Sequence, residues 1–262
     1  MVMPSKGFPI LRLPYIAVQE VIRAMDPPEI YSTPGKILEN FMKFVEYVRE
    51  VFKMDINVLM YSMDAFKRKN QYIIDWLKTQ TLEYYGLELH GSRVPHKDVQ
   101  YCLDNLSALE QLNLEVTTDK KLPLKVAKNP ENLIIWKGEW IQVEQLLSFR
   151  STIIDLSSTS LTHKDLNQFL RKWISLECHE NFRLFKVHVQ DKETFCKIID
   201  GLELEHPNQG RVSKRQLIRI ASEEGVQIKN LNNTIAKLRI EYHYNDCAFM
   251  MGVGDLGEED DE

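Results

Sequence analysis

From Tyr84 to Ile199 short apolar runs alternate with helix-like runs, and that alternation restricts the fold more than any other feature of the chain. Tyr85–Leu89, Leu112–Val116, Leu133–Trp136, Ile153–Leu156 and Leu184–Val189 read as strands. Between them, Val99–Leu106, the run through Val143, Leu146 and Leu147, and the run through Phe195, Ile198 and Ile199 read as helices. The clearest helix carries Leu166, Phe169, Leu170, Trp173 and Ile174 on one face, and Thr162 with Asp165 three residues on is close to a capping box. Strand–helix–strand alternation implies right-handed crossovers and a parallel sheet, so the fold class is α/β. The spacing of the last three strands lies near the leucine-rich-repeat range, which predicts a short curved stack.

After Gly210 the period changes to two. Leu217–Ile220, Val226–Ile228, Ile235–Tyr242 and Ala248–Val253 read as strands of an antiparallel meander, with turns at Leu231–Asn233 and Asn245–Asp246. Upstream, Leu13–Met25 reads as a short amphipathic helix that Asp26-Pro27-Pro28 ends. Thr33-Pro34 opens a second helix, with Ile37, Phe41, Phe44, Val45, Val48 and Phe52 on one face. A third covers Gln71–Lys78. The resulting division is 1–33, a helical motif; 34–82, a helical connecting region; 83–256, the αβ stack and its meander; and 257–262, an acidic tail expected to be disordered.

Composition excludes several classes. Net charge is −5 and the last five residues are all acidic, so the rest of the chain is neutral. A nucleic-acid binder needs a basic face to neutralise phosphates, and the small cluster Arg211, Lys214 and Arg215 reads as a solvated turn. The widely spaced Cys102, Cys178, Cys196 and Cys247 suit a reducing compartment, which predicts a cytoplasmic or nuclear protein. Two asparagine sequons, at Asn105 and Asn232, are then chance matches, and no apolar run is long enough for a membrane span.

Catalytic constellations are thin. Gly252-Val253-Gly254-Asp255-Leu256-Gly257 spells a dinucleotide fingerprint, but only acids follow it and no helix or second strand can. Cys178-His179 is a lone thiol–imidazole pair without further zinc ligands, read as a loop cysteine beside a solvated histidine. Glu223-Glu224 reads as a solvated turn. Trp136 and Trp140 flank a turn; core packing is expected for both, with an exposed recognition anchor as the other reading. No metalloprotease, nucleophile-elbow or P-loop motif occurs, so no enzyme activity, cofactor or metal is expected.

Two stretches carry a family resemblance. Phe8 to Ile30, with Leu13-Pro14, Val21-Ile22, Met25 and Glu29-Ile30, resembles the first half of an F-box. Asn132–Ile135, Trp140-Ile141 and above all Ser160–Ile174 are similar to the nematode-type F-box-associated domain of the second type. Together the resemblance covers about four-fifths of the chain. It implies a non-enzymatic substrate adaptor of a Skp–cullin–F-box ubiquitin ligase, with a substrate protein held by the C-terminal domain. On that resemblance the Skp-binding residues are Leu11, Leu13, Pro14, Val18, Val21, Ile22, Met25 and Ile30. The physics agrees, because about 20 residues cannot bury that apolar side unaided. After Ile30, however, Tyr31–Pro34 leads straight into the next helix, so the second half of the motif is absent. A stand-alone binding module that no longer contacts the ligase is the alternative. The outer face of the parallel strands is the expected recognition surface.

Overall fold

The computed structural model describes residues 37–53, 55–66, 68–80, 83–120, 122–126, 128–179, 181–205, 213–243 and 246–254. The expected adaptor-binding residues Leu11 to Ile30 and the tail 257–262 lie outside them. The chain divides into two compact units, 1–56 and 57–262. In the first, α1 spans Ile37–Phe52. Its buried positions include Leu38 and Met42, while Phe41 is 55% exposed. The expected Phe41 stripe is therefore displaced around the helix. Apolar residues occupy more than one face of α1, so periodicity alone did not select the buried one.

The second unit contains β1 (Val58–Ser62), α2 (Asn70–Gln80), β2 (Glu83–Val94), α3 (His96–Asn105) and β3 (Ser107–Thr118). Then follow β4 (Asn132–Ile135), α4 (Val143–Ser148), β5 (Ile153–Leu156), α5 (His163–Ile174), β6 (Leu184–Val189) and α6 (Glu193–Ile198). Last come α7 (Lys214–Glu223), β7 (Val226–Lys229), β8 (Ile235–His243) and β9 (Asp246–Val253). All nine strands form one mixed sheet in the order β1-β2-β3-β4-β5-β6-β9-β8-β7. Strands β1 to β6 are parallel neighbours in chain order. Strand β9 runs antiparallel to both β6 and β8.

The core is a set of cross-strand ladders under the helices. Leu87, Leu112, Leu133, Ile154 and Phe185 stand in register and are all buried. Each such side chain contributes about 1.5–3 kcal/mol. The expected α5 stripe meets this ladder: Leu166, Phe169, Leu170 and Trp173 are buried. Phe169 packs 4.8 Å from Phe185 between ring centres. Thr162 and Asp165 form the expected capping box.

Two elements differ from the sequence reading. Leu217–Ile220 lies in α7 and not in a strand. Ser213 and Gln216 cap its start reciprocally, and Gly225, at φ 84°, follows its end. Those brackets override a short run, three apolar residues around Arg219, that fits either period. They also place Lys214 and Arg215 in a helix rather than a turn. Strand β1 is the second difference, since the sequence reading assigned 58–62 no element. A buried chain of hydrogen bonds fixes it: Tyr61 donates to Asn70 Oδ1 at 2.6 Å, and Asn70 Nδ2 donates to Asp98 Oδ2 at 3.3 Å. Burial raises the Tyr61 pKa well above its ordinary value, which keeps the donor protonated.

Candidate recognition face

Each strand of β4, β5 and β6 buries alternate residues only. A parallel sheet covered by helices on both faces would bury every position, so the helices here back one face. The opposite face displays the remaining alternate residues. Glu88, Asn113, Ile134, Asp155 and Lys186 form one row across β2 to β6. Met250 and Arg239 continue it across β9 and β8. At roughly 4.8 Å per strand the row is about 29 Å long.

Charge is uneven along this face. Glu88, Glu115 and Asp155 belong to the β2–β5 side, whereas Lys186, Lys237 and Arg239, with Glu241 among them, belong to the β6–β8 side. His90 Nδ1 lies 3.2 Å from Glu115 Oε2, and His90 Nε2 lies 3.5 Å from Glu88 Oε2. Lys186 Nζ sits 3.6 Å from Glu241 Oε2. Within the β2–β5 side, the buried Oδ1 atoms of Asn113 and Asn132 accept no hydrogen bond among the described residues. A buried acceptor left this way costs about 1–3 kcal/mol.

Trp136 completes the face. It follows β4, continues the alternation of Ile134, and is 46% exposed. Trp140 is buried. Core packing was expected for both, so Trp136 is corrected to an exposed position. Strand parity decides this: Ile135 points to the helices, so its successor cannot. Nothing in the sequence distinguished Asn113 and Asn132 from ordinary solvated strand residues, although their alternation with Leu112, Leu114 and Leu133 was visible.

The Cys178-His179 pair is not solvated as the sequence suggested. Both residues are buried. His179 adopts φ 56° and its Nε2 lies 3.0 Å from the Leu146 carbonyl. Its ring packs edge-on against Phe169 and Phe182 at 5.3 and 5.7 Å. Burial lowers the imidazole pKa to about 4 and raises the Cys178 thiol to about 11. A protonated thiol beside a neutral, inert imidazole is the opposite of an activated nucleophile. The pair borders a cavity of about 300 Å³ with Arg150 and Ser151. A larger concavity of about 760 Å³, lined by Lys192, Lys214, Arg215 and Arg219, runs between α6 and α7.

The first fingerprint glycine does not open a helix: Gly252 lies within β9 and pairs with Leu184 and Lys237. No group of three or more metal-ligating side chains occurs among the described residues. No helix among them is long and apolar enough to cross a membrane.

Residues 121–187 match the family model described as F-box associated. That segment is similar to F-box-associated domains. The matched segment covers about a quarter of the chain and runs from the β3–β4 connection through α4, β5 and α5 into β6. The matched segment supplies the centre of the open face, including Trp136, Asn132, Ile134, Asp155 and Lys186. No curated protein and no solved structure matches the chain.

Proposed function

We propose that this chain is a substrate-recognition adaptor of a Skp–cullin–F-box-type ubiquitin ligase, and that the open sheet face is where the substrate protein docks. The observation that carries the reading is the coincidence of the F-box-associated segment with the centre of that face. An exposed tryptophan beside charged side chains of both signs is what a protein-binding surface needs: an anchor and orientation. In-order parallel strands backed by packed helices support a leucine-rich-repeat-like architecture.

On this reading the chain performs no chemistry of its own. Proximity is its contribution, because holding the substrate near a recruited conjugating enzyme makes transfer effectively intramolecular. Leu11, Leu13, Pro14, Val18, Val21, Ile22, Met25 and Ile30 form the apolar surface offered to the Skp adaptor, in the cytoplasm or nucleus. The test is co-purification of the full chain with the Skp adaptor. Co-elution is expected, and is lost in Leu13→Asp and Val21→Asp. If the unmutated chain elutes alone, the ligase role is rejected.

A second reading, a stand-alone binding module, is favoured by one observation: α1 begins at Ile37, seven residues after Ile30, where a complete F-box would continue. Failure to co-elute, together with capture of a partner by the unmutated chain and loss of that capture in Trp136→Ala, would select it.

A further inference from the structure

The two edges of the sheet are treated differently. Strand β7 is short, carries Gln227 and Lys229 outward, and is partly covered: the Glu205 N–H donates to the Gln227 carbonyl at 2.8 Å. Strand β1, Val58-Leu59-Met60-Tyr61-Ser62, has neither a charge nor a proline. Natural edges are usually guarded by such residues, because an unguarded edge is a template for another strand.

The pairing of β1 with β2 shows which backbone groups remain. The Asn57 carbonyl accepts from the Tyr85 and Gly86 N–H groups at 2.7 and 3.1 Å, and the Met63 N–H donates to the His90 carbonyl at 2.8 Å. In a parallel ladder alternate residues face the partner strand, so 57, 59, 61 and 63 are used inward. Val58 and Met60 direct their N–H and C=O groups outward, as Ser62 does its N–H; the Ser62 carbonyl accepts from the Ala65 N–H at 3.2 Å. Val58 is 53% and Met60 68% exposed. Gly86, opposite Val58, has no side chain to cover it. The edge is also rigidly held, through the Tyr61–Asn70–Asp98 hydrogen bonds.

Charge selects the occupant. Strands β1 to β3 carry Glu83, Glu88, Glu110 and Glu115 against a single arginine, Arg93. Glu131 adds a further acid at the start of β4, bonded through its N–H to the Leu109 carbonyl. Exposed Tyr85 and Leu109 lie among these acids. A second copy of this chain would bring the same acids against them.

We propose that β1 accepts an extended segment of another protein as a tenth strand, apolar at alternate positions and flanked by lysine or arginine. Main-chain hydrogen bonds to Val58, Met60 and the Ser62 N–H would give the affinity, and the carboxylates would set the preference for basic flanks. This site lies along the sheet edge, shares Glu88 and Glu115 with the open face, and does not depend on contact with a ligase.

The test uses the full chain and a synthetic peptide of about ten residues, alternating valine and threonine between lysine-arginine ends. Binding is read by calorimetry and by amide hydrogen exchange. Slowed exchange at Met60 and Ser62 is expected. Met60→Pro removes the central outward donor while leaving the inward ladder intact, and should weaken binding about tenfold or more. Met60→Ala should stay within about twofold, because the backbone is what is read. If Met60→Pro misfolds by circular dichroism, Met60→Lys serves instead, with the same tenfold loss expected from a charged edge. Equal binding by folded Met60→Pro and the unmutated chain overturns the proposal. So does equal binding of a peptide with glutamate ends, or a dimer of the chain that disperses in Met60→Pro.

Discussion

In the parallel part of the sheet each strand passes through a helix or loop to the strand beside it, whereas β9 returns from far along the chain to lie between β6 and β8. The first arrangement is built from neighbours in sequence; the second joins Leu184 to Gly252. What this teaches is where cooperativity must be made. A stack of neighbour contacts can lose one end without losing the rest, so the unit behaves as one body only if the seam at β9 is strong. Phe249 is the seam: its ring lies 6.4 Å from Phe185 on the parallel side and 6.0 Å from Phe195 on α6.

The largest expected effect is therefore at that residue. Phe249→Ala should cost about 3–5 kcal/mol in denaturant unfolding. Amides of β7 and β8 should then exchange ahead of those in β2 to β5. Uniform exchange across all nine strands would erase the proposed distinction between the two regions.

Acid should act from within the parallel side. His179 has its pKa lowered to about 4 by burial, against an ordinary 6.5. The unfolded chain therefore binds the proton first. Stability is fully present above about pH 6.5 and falls as pH drops towards about 4, by up to about 3 kcal/mol. Urea midpoints measured between those pH values check this, and His179→Leu should flatten the dependence. A midpoint independent of pH in the unmutated chain would contradict the burial argument.

Smaller effects compare the helix caps. Thr162→Ala on α5 and Ser213→Ala on α7 each remove a side chain that accepts from the third helical N–H. Each should cost about 1 kcal/mol in thermal or urea unfolding. A much smaller loss for Ser213 would mean that packing on β8, not its cap, holds α7 helical. Least of all, Lys186→Glu should leave stability within about 0.5 kcal/mol, since its 3.6 Å pair with Glu241 is partly exposed. Its effect belongs to partner binding on the β6–β8 side, read by pull-down.

Much of the parallel part was legible because burial there follows period. Ile153–Leu156 and Leu184–Val189 occur as read, and α5 begins at the residue after its Thr162 cap. The antiparallel strands from Val226 onward were legible for the same reason. Leu217–Ile220 was misread because three apolar residues around Arg219 satisfy both periods, and the deciding signals, Ser213 with Gln216 and Gly225, lie outside the run. Strand β1 was missed because Val58–Tyr61 has no polar alternation, being an edge whose exposed residues are themselves apolar.

The recognition face was legible only as an idea. Its position required knowing that the helices back one side, which is a property of the whole sheet. Trp136 and Trp140 look alike in sequence, yet one is exposed and the other buried. The unsatisfied acceptors of Asn113 and Asn132 depend on which neighbours are absent, and a linear chain does not record that.

Because β9 is hydrogen-bonded on both flanks, it behaves as a keystone delivered last. During synthesis, β6 and β8 must wait, each with an open side, until residues 246–253 emerge from the ribosome. A premature stop a few codons before Asp246 would remove under a tenth of the chain yet leave two half-built sheet margins exposed to quality control.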